Sequence, residues 1–288
     1  MWRVIVSCAL LVVGAPFVAA CGESAASAHP PGHDEPIHAV APAASTASVS
    51  AEPVSDPVTV PLVVDVTPQP RGDCAPGVRH LQLGARSTIL YVVGGRSDVR
   101  TLPWPSAKRV GHFGPRNLYG LRTVLLGLDR YVDNWCRTTW YRVAMPATPN
   151  GITGWVPASG VIADAVDTRI VADVDARRLV LYREGRRLLE MPMAVGASST
   201  PTPRGLFFVE SRFRFADPNG VFGPAALALS AYSEASEGWA KGNPIAIHGT
   251  NDPSSIGQAA SSGCLRISNR NVGVLLALVR SGTPVLVQ

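Results

Sequence analysis

The amino-acid sequence predicts a mostly-β chain of two modest domains behind a targeting segment. Three observations point there. Apolar residues come in short runs bounded by Gly, Pro, Asn and Asp. The 288 residues include 27 Gly and 25 Pro but only 16% charged residues, a composition suited to loops and strands rather than to a helical bundle. Helical periodicity is clear in one stretch only, near the C-terminus. The formal net charge of +5 comes without a dense Lys/Arg run, so it reads as a solvated surface, and no nucleic-acid-binding motif accompanies it.

Residues 1–20 read as a secretory signal. Met1-Trp2-Arg3 is a short charged start, Val4–Val13 is apolar but short for a membrane span, and small residues lead to Val18-Ala19-Ala20-Cys21. The last four resemble a bacterial lipobox, which implies that Cys21 becomes the lipidated first residue of an exported protein. Such an anchor would hold the chain at the extracytoplasmic face of the membrane, in the cell envelope. Residues 21–60 are rich in Ala, Ser, Pro and His without apolar period, and read as a disordered tether. His29, His33, Asp34, Glu35 and His38 lie within it. They are read as a soluble linker rather than a metal site, because ordering ligands on such a segment costs entropy.

Residues 61–165 read as a first β domain. Its strand candidates are Thr88–Val93, Thr123–Leu126, Trp140–Val143 and Gly154–Val156, with a turn at Pro149-Asn150-Gly151. The end of this stretch, WYRVAMPATPNGITGWV, resembles bacterial SH3-like domains, which implies a small β-barrel. Trp140, Tyr141 and Trp155 are read first as packing residues and second as a ligand groove.

Residues 166–288 read as a second β domain. Ile170–Val174, Leu179–Tyr182 and Arg187–Met191 are strands separated by turns at Asp175-Ala176-Arg177 and Glu184-Gly185. Gly205–Val209, Ile245–Ile247 and Val285–Val287 are further strands. Between the last two, Ser268 or Asn269 caps a helix of about ten residues. Val272, Leu275, Leu276 and Val279 form its apolar face.

Two segments carry chemistry: Ile247-His248-Gly249-Thr250, and Ser261-Ser262-Gly263-Cys264-Leu265-Arg266. A thiol attacks an acyl carbon as thiolate, so it needs a base or cation beside it. Here His248 lies at a strand end and Arg266 two residues after the cysteine. Gly263 leaves room for a substrate backbone, and N–H groups around Gly263 and Cys264 are candidate oxyanion donors. By themselves these residues fit either a thiol enzyme or a buried cysteine and a strand-end histidine. Zinc is disfavoured, since no second Cys or His stands nearby to complete a tetrahedral set. No cofactor is implied.

The combined pattern of HGT followed by SxGCLR resembles the L,D-transpeptidase catalytic domain. Supporting matches are Val195-Gly196 before Thr202-Pro203-Arg204-Gly205, Ile256-Gly257, and Gly282-Thr283-Pro284-Val285. The resemblance implies a β-sandwich-like fold with one or two short helices and acyl transfer on peptidoglycan stem peptides by a monomer. Cys264 would be the nucleophile and His248 the proton acceptor and donor. Gly249 would orient the imidazole, while Ser262, Gly263 and Arg266 would serve the substrate, the oxyanion or the catalytic loop. One departure stands out: the family loop usually has a histidine two residues before the cysteine, where this chain has Ser262. With Cys8 lost with the signal, Cys21 lipidated and Cys264 catalytic, Cys74 and Cys136 remain to form a disulfide in the first domain.

The expected reaction is 3→3 cross-linking through a Cys264 thioester. The alternatives are an L,D-carboxypeptidase using water as acceptor, and a wall-binding lipoprotein of weak activity. A penicillin-binding serine enzyme is excluded, because neither Lys108 nor Lys241 has a serine three residues before it.

Overall fold

The computed structural model describes residues 51–56, 74–235 and 243–288. The leader, Cys21 and the His29–His38 cluster lie outside these residues. The described chain is mostly β, with one α-helix among the described residues.

After β1 (Ala51–Pro53), which joins the sheet of the second region, the first region runs through β2 (Gly77–His80), β3 (Ser87–Val92), β4 (Ser97–Arg100), β5 (Arg109–Phe113), β6 (Val124–Val132), β7 (Thr138–Ala144), β8 (Thr153–Pro157) and β9 (Val161–Val166). Its sheet has the order β5-β4-β8-β7-β6-β3-β9, with β2 added beside β6. The period of two decides what each face buries. On β3, Leu90 and Val92 enter the region's own core, whereas Ile89 and Tyr91 turn to the opposite face with Val124 and Val166. The β7–β8 turn contains Gly151 at φ 81°, a conformation open to glycine at little cost. Cys74 and Cys136 are joined by a disulfide, Cα–Cα 5.4 Å, closing a span of 62 residues. In the chain-entropy picture such a loop is worth roughly 4 kcal/mol.

The second region comprises β10 (Thr168–Asp173), β11 (Arg178–Arg183), β12 (Arg186–Pro192), β13 (Val195–Gly196), β14 (Gly205–Phe215), β15 (Ala225–Tyr232), β16 (Pro244–His248), β17 (Ala259–Ser261), β18 (Leu265–Arg266), α1 (Asn269–Leu278) and β19 (Pro284–Val287). The main sheet has the order β12-β11-β10-β19-β14-β15-β16-β18, and β13 pairs with β17. Turn residues Arg177, Glu184 and Gly185 all have positive φ, which lets β10, β11 and β12 follow one another as hairpins. Val272, Leu275, Leu276 and Val279 of the helical stretch are buried in the core. Ser268 is the N-cap, its Oγ accepting from Asn271 N at 3.2 Å. At the other end the buried Arg212 guanidinium donates to the carbonyls of Leu276 and Val279, both at 3.0 Å.

β14 serves both regions. Its Val209 lies in the second core, while Phe208, fully buried, belongs to the first. Burying one such ring is worth roughly 1.5–3 kcal/mol. Gly282 completes the contact: a Cβ there would stand 2.6 Å from Ile89 Cγ2 and 2.9 Å from Val124 Cγ1. Arg280 reaches back to Tyr91 Oη at 2.8 Å and Asp164 at 2.9 Å.

One boundary changes. The tether predicted for residues 21–60 includes β1, which pairs antiparallel with Phe213–Phe215 of β14. β19 covers β14 only along Gly205–Phe208, so the far end of that edge is open to another strand. Arg212 supplies the second reason: its guanidinium is 2.6 Å from Asp56, and both side chains are largely buried. Composition alone shows neither partner.

Candidate active site

The site is assembled where β16 and β18 lie parallel, Ile247 opposite Leu265 and His248 opposite Arg266. This register sets Cys264, the residue before β18, alongside Ala246. The Ala246 backbone N–H favours the charged form of the Cys264 sulfur. Cys264 is the free cysteine among the described residues and is partly exposed.

His248 closes β16 and is 3% exposed. Its Nδ1 lies 2.5 Å from the Gly249 carbonyl. A carbonyl only accepts, so Nδ1 carries the proton and Nε2 keeps its lone pair. Phe222 packs edge-on against the imidazole, ring centroids 5.1 Å apart. Gly249 itself is hemmed in: a Cβ would stand 2.3 Å from Asn269 Oδ1 and 3.1 Å from Gly223 Cα. The Asn269 Oδ1 accepts from Thr250 N at 2.8 Å, holding the turn that follows His248. Gly249 is thus a positioning residue with no open space for substrate at its Cα.

The cysteine loop is held by hydroxyls. Ser261 Oγ donates to the Cys264 carbonyl at 2.6 Å and accepts from Gly263 N at 3.1 Å. Thr202 Oγ1 accepts from Gly196 N and donates to the Gly263 carbonyl, both at 2.9 Å. Thr200 Oγ1 donates to the Ser261 carbonyl at 3.0 Å. Two expectations about Gly263 are corrected here. Its N–H is spent on Ser261, so it is not a free oxyanion donor; the Cys264 N–H is the one left without a partner among the described residues. Nor does Gly263 open a path for substrate, because its Cβ side is filled by Ile245 Cδ1 at 2.8 Å. The glycine is needed for the loop's φ of 112°.

Electrostatics favours neutral partners at rest. Burial pushes the His248 pKa down to about 4, with the positive Arg266 acting in the same direction and the Gly249 hydrogen bond opposing. Burial pushes the Cys264 thiol up, opposed by the Ala246 N–H and by Arg266. A neutral thiol and a neutral imidazole are therefore the resting forms of the two side chains. Arg266 makes no ion pair among the described residues, so its charge is available to an anionic group. Ser262 is exposed and makes no hydrogen bond among the described residues.

The structure brings His248, Gly249, Gly263, Cys264 and Arg266 together; Ser262 borders them from the solvent side. Sequence reasoning missed the roles of Ser261, Thr202, Phe222, Gly223 and Asn269. Ser261 stood in the motif and Asn269 at the predicted cap, but Phe222 and Gly223 sit in a loop without any periodic or motif signal. Among the described residues, no three His, Cys, Asp or Glu side chains are grouped to hold a metal ion.

Comparison with known proteins places this site in a context. A protein of Bacillus licheniformis named L,D-transpeptidase YkuD is 40% identical over 122 residues, 42% of this chain and 66% of its own length. Its namesake from Bacillus subtilis is 37% identical over 118 residues, 41% of this chain and 64% of its own. The chain thus spans just under two thirds of these relatives. Among solved structures, the catalytic domain of the Enterococcus faecium L,D-transpeptidase is 25% identical, with a TM-score of 0.32. That match covers 42% of this chain and 97% of that one. The family model of the L,D-transpeptidase catalytic domain matches residues 167–287, a span that contains both the His248 and the Cys264 segments.

Proposed function

We propose that the protein is a peptidoglycan L,D-transpeptidase that forms 3→3 cross-links through a thioester on Cys264. The observation that carries this reading is the fixed tautomer of His248. Its Nδ1–H is tied to the Gly249 carbonyl, which leaves Nε2 as the free base on the strand that runs parallel to the Cys264 segment.

In this scheme the Cys264 sulfur adds to the carbonyl of the third residue of a tetrapeptide stem, and its proton passes to His248 Nε2. The oxyanion is met by the Cys264 N–H. Collapse breaks the bond to the terminal D-alanine, whose amine leaves with the proton from His248. The side-chain amine of a diamino acid on a neighbouring stem then attacks the thioester and gives a proton to His248; the C–S bond breaks as the amide forms, and His248 passes that proton to the departing sulfur. Arg266 supplies positive charge for a stem carboxylate. By sequence resemblance, the first region is an SH3-like domain, and the chain acts in the cell envelope, anchored through lipid on Cys21.

Mass spectrometry of the purified protein with a tetrapeptide stem tests the scheme. The expected result is release of D-alanine, a thioester adduct on Cys264 and dimer formation when an acceptor amine is present. Trimmed tripeptide alone, with acceptor supplied, would identify a carboxypeptidase instead. An adduct that persists in Cys264→Ala would refute the nucleophile.

A further inference from the structure

A second built site lies between the two β regions, at Glu210. The residue is the extra one in a β-bulge: Val209 pairs with Leu229 and Ser211 with Ala228. Bulges re-aim side chains. Here Ser211 faces the first region, its Oγ accepting from Asn117 Nδ2 at 2.8 Å. Glu210 also faces that region and lines a cavity of about 480 Å³. That volume falls in the small-molecule range.

Glu210 is 6% exposed and has no hydrogen-bond or ion-pair partner among the described residues. An unpartnered buried carboxyl is costly, and in native folds it calls for an explanation. Its electrostatic neighbours Tyr119 and Tyr232 are themselves weak acids and offer no positive charge. Thr123 lines the same cavity with a buried Oγ1 that also lacks a partner. Arg116 lines it too; its guanidinium donates to the Gly120 carbonyl at 2.7 Å and meets no carboxylate among the described residues. Arg96 and His112 are the other charged or titratable lining groups, and Arg96 is already paired with Asp98. The wall thus presents one unpaired acid and one unpaired base, with Phe113, Leu118 and Val124 around them.

We propose that this cavity binds the zwitterionic end of an amino acid, its ammonium paired with Glu210 and its carboxylate with Arg116. The site shares no lining residue with the cysteine loop, and it stands independently of the reaction assigned to Cys264. Two sources carry this chemistry: a free amino acid, or the exposed end of a diamino-acid side chain in a wall peptide. On binding, Glu210 gives its proton to solvent as it pairs with the ammonium, because burial otherwise keeps the carboxyl protonated up to about pH 8.

Isothermal titration of the purified protein at neutral pH, in two buffers of different ionisation enthalpy, tests this. The probes are D-alanine, meso-diaminopimelate, a tripeptide ending in diaminopimelate, and N-acetyl-D-alanine. Saturable binding of at least one of the first three is expected, with proton release and no binding of the acetylated probe. Preference for D-alanine assigns the free amino acid, and preference for the tripeptide assigns wall peptide. Glu210→Gln should abolish the proton release, and Glu210→Gln and Arg116→Gln should each weaken binding at least about tenfold. Absence of saturable binding by all three zwitterions overturns the proposal, as does undiminished affinity in folded Glu210→Gln and Arg116→Gln.

Discussion

Replacing Glu210 by Gln should flatten the dependence of stability on pH. Burial lifts this carboxyl from 4.5 to about 8. The sign follows from proton counting. Between those two values the unfolded chain has released its proton and the native chain still holds it. Native protein then binds more protons, so stability falls as pH rises through this window, and the loss is complete above about pH 8. At about 1.4 kcal/mol for each tenfold change in proton affinity, the full penalty is on the order of 5 kcal/mol. Water entering the cavity softens it, since effective interior dielectric constants are higher than those of dry protein, so about 2–3 kcal/mol is expected in practice. Urea unfolding at about pH 5 and about pH 8.5, without amino-acid ligand, reads this directly. The quantity compared is the pH-dependent change in each protein, because the buried amide alters absolute stability by its own unmet hydrogen bonds. Wild-type protein should lose about 2–3 kcal/mol more than Glu210→Gln across that interval. Parallel behaviour of the two proteins would refute the reasoning.

Four other outcomes are expected. His248→Ala should slow acylation of Cys264 by at least about a hundredfold, whereas Ser262→Ala, which removes an exposed hydroxyl without a hydrogen-bond partner among the described residues, should leave a readily measured rate; equal losses in stopped-flow acylation would contradict this division. Iodoacetamide alkylation of Cys264 should keep accelerating with pH past the midpoint of a free cysteine, because burial raises the thiol; a plateau already reached at neutral pH would point to a resting thiolate. Gly263→Ala combines a φ of 112° with a contact of 2.8 Å to Ile245, and should distort the cysteine loop enough to lower acylation sharply. Asp56→Asn leaves the buried Arg212 without its anion and should cost roughly 3 kcal/mol, seen as a lower urea midpoint.

Much of the second region is legible locally. The runs at Ile170, Leu179 and Arg187 become three hairpin-linked strands because their turn residues accept positive φ. The helix is readable because Val272, Leu275, Leu276 and Val279 repeat at helical spacing after a serine cap. β15 is not legible in the sequence. Its AALALSAY has neither alternation nor turn signals inside it; it is a strand because β14 and β16 pair with its two edges while both of its faces are buried. β1 was hidden in a compositionally bland tether for the opposite reason: it is exposed, and its partners lie about 160 residues away in sequence.

The candidate site divides along the same line. The chemical identities of Cys264, His248 and Arg266, and the need for glycine beside them, are written in two short segments of sequence. Which donors remain free is settled partly by a local bond, Ser261 claiming the Gly263 N–H two residues on, and partly by contacts distant in sequence, with Ile245 filling the space at Gly263 and Asn269 and Gly223 closing around Gly249. Likewise nothing local marks Glu210 as an unpaired acid; a bulge in β14 and a cavity walled by the other β region make it one. Residue type and short-range period determine what a segment can become. Polar groups such as Arg212, Thr202 and Asn269 find their partners through contacts between segments far apart in the chain, and those exist only once the sheets have formed their register.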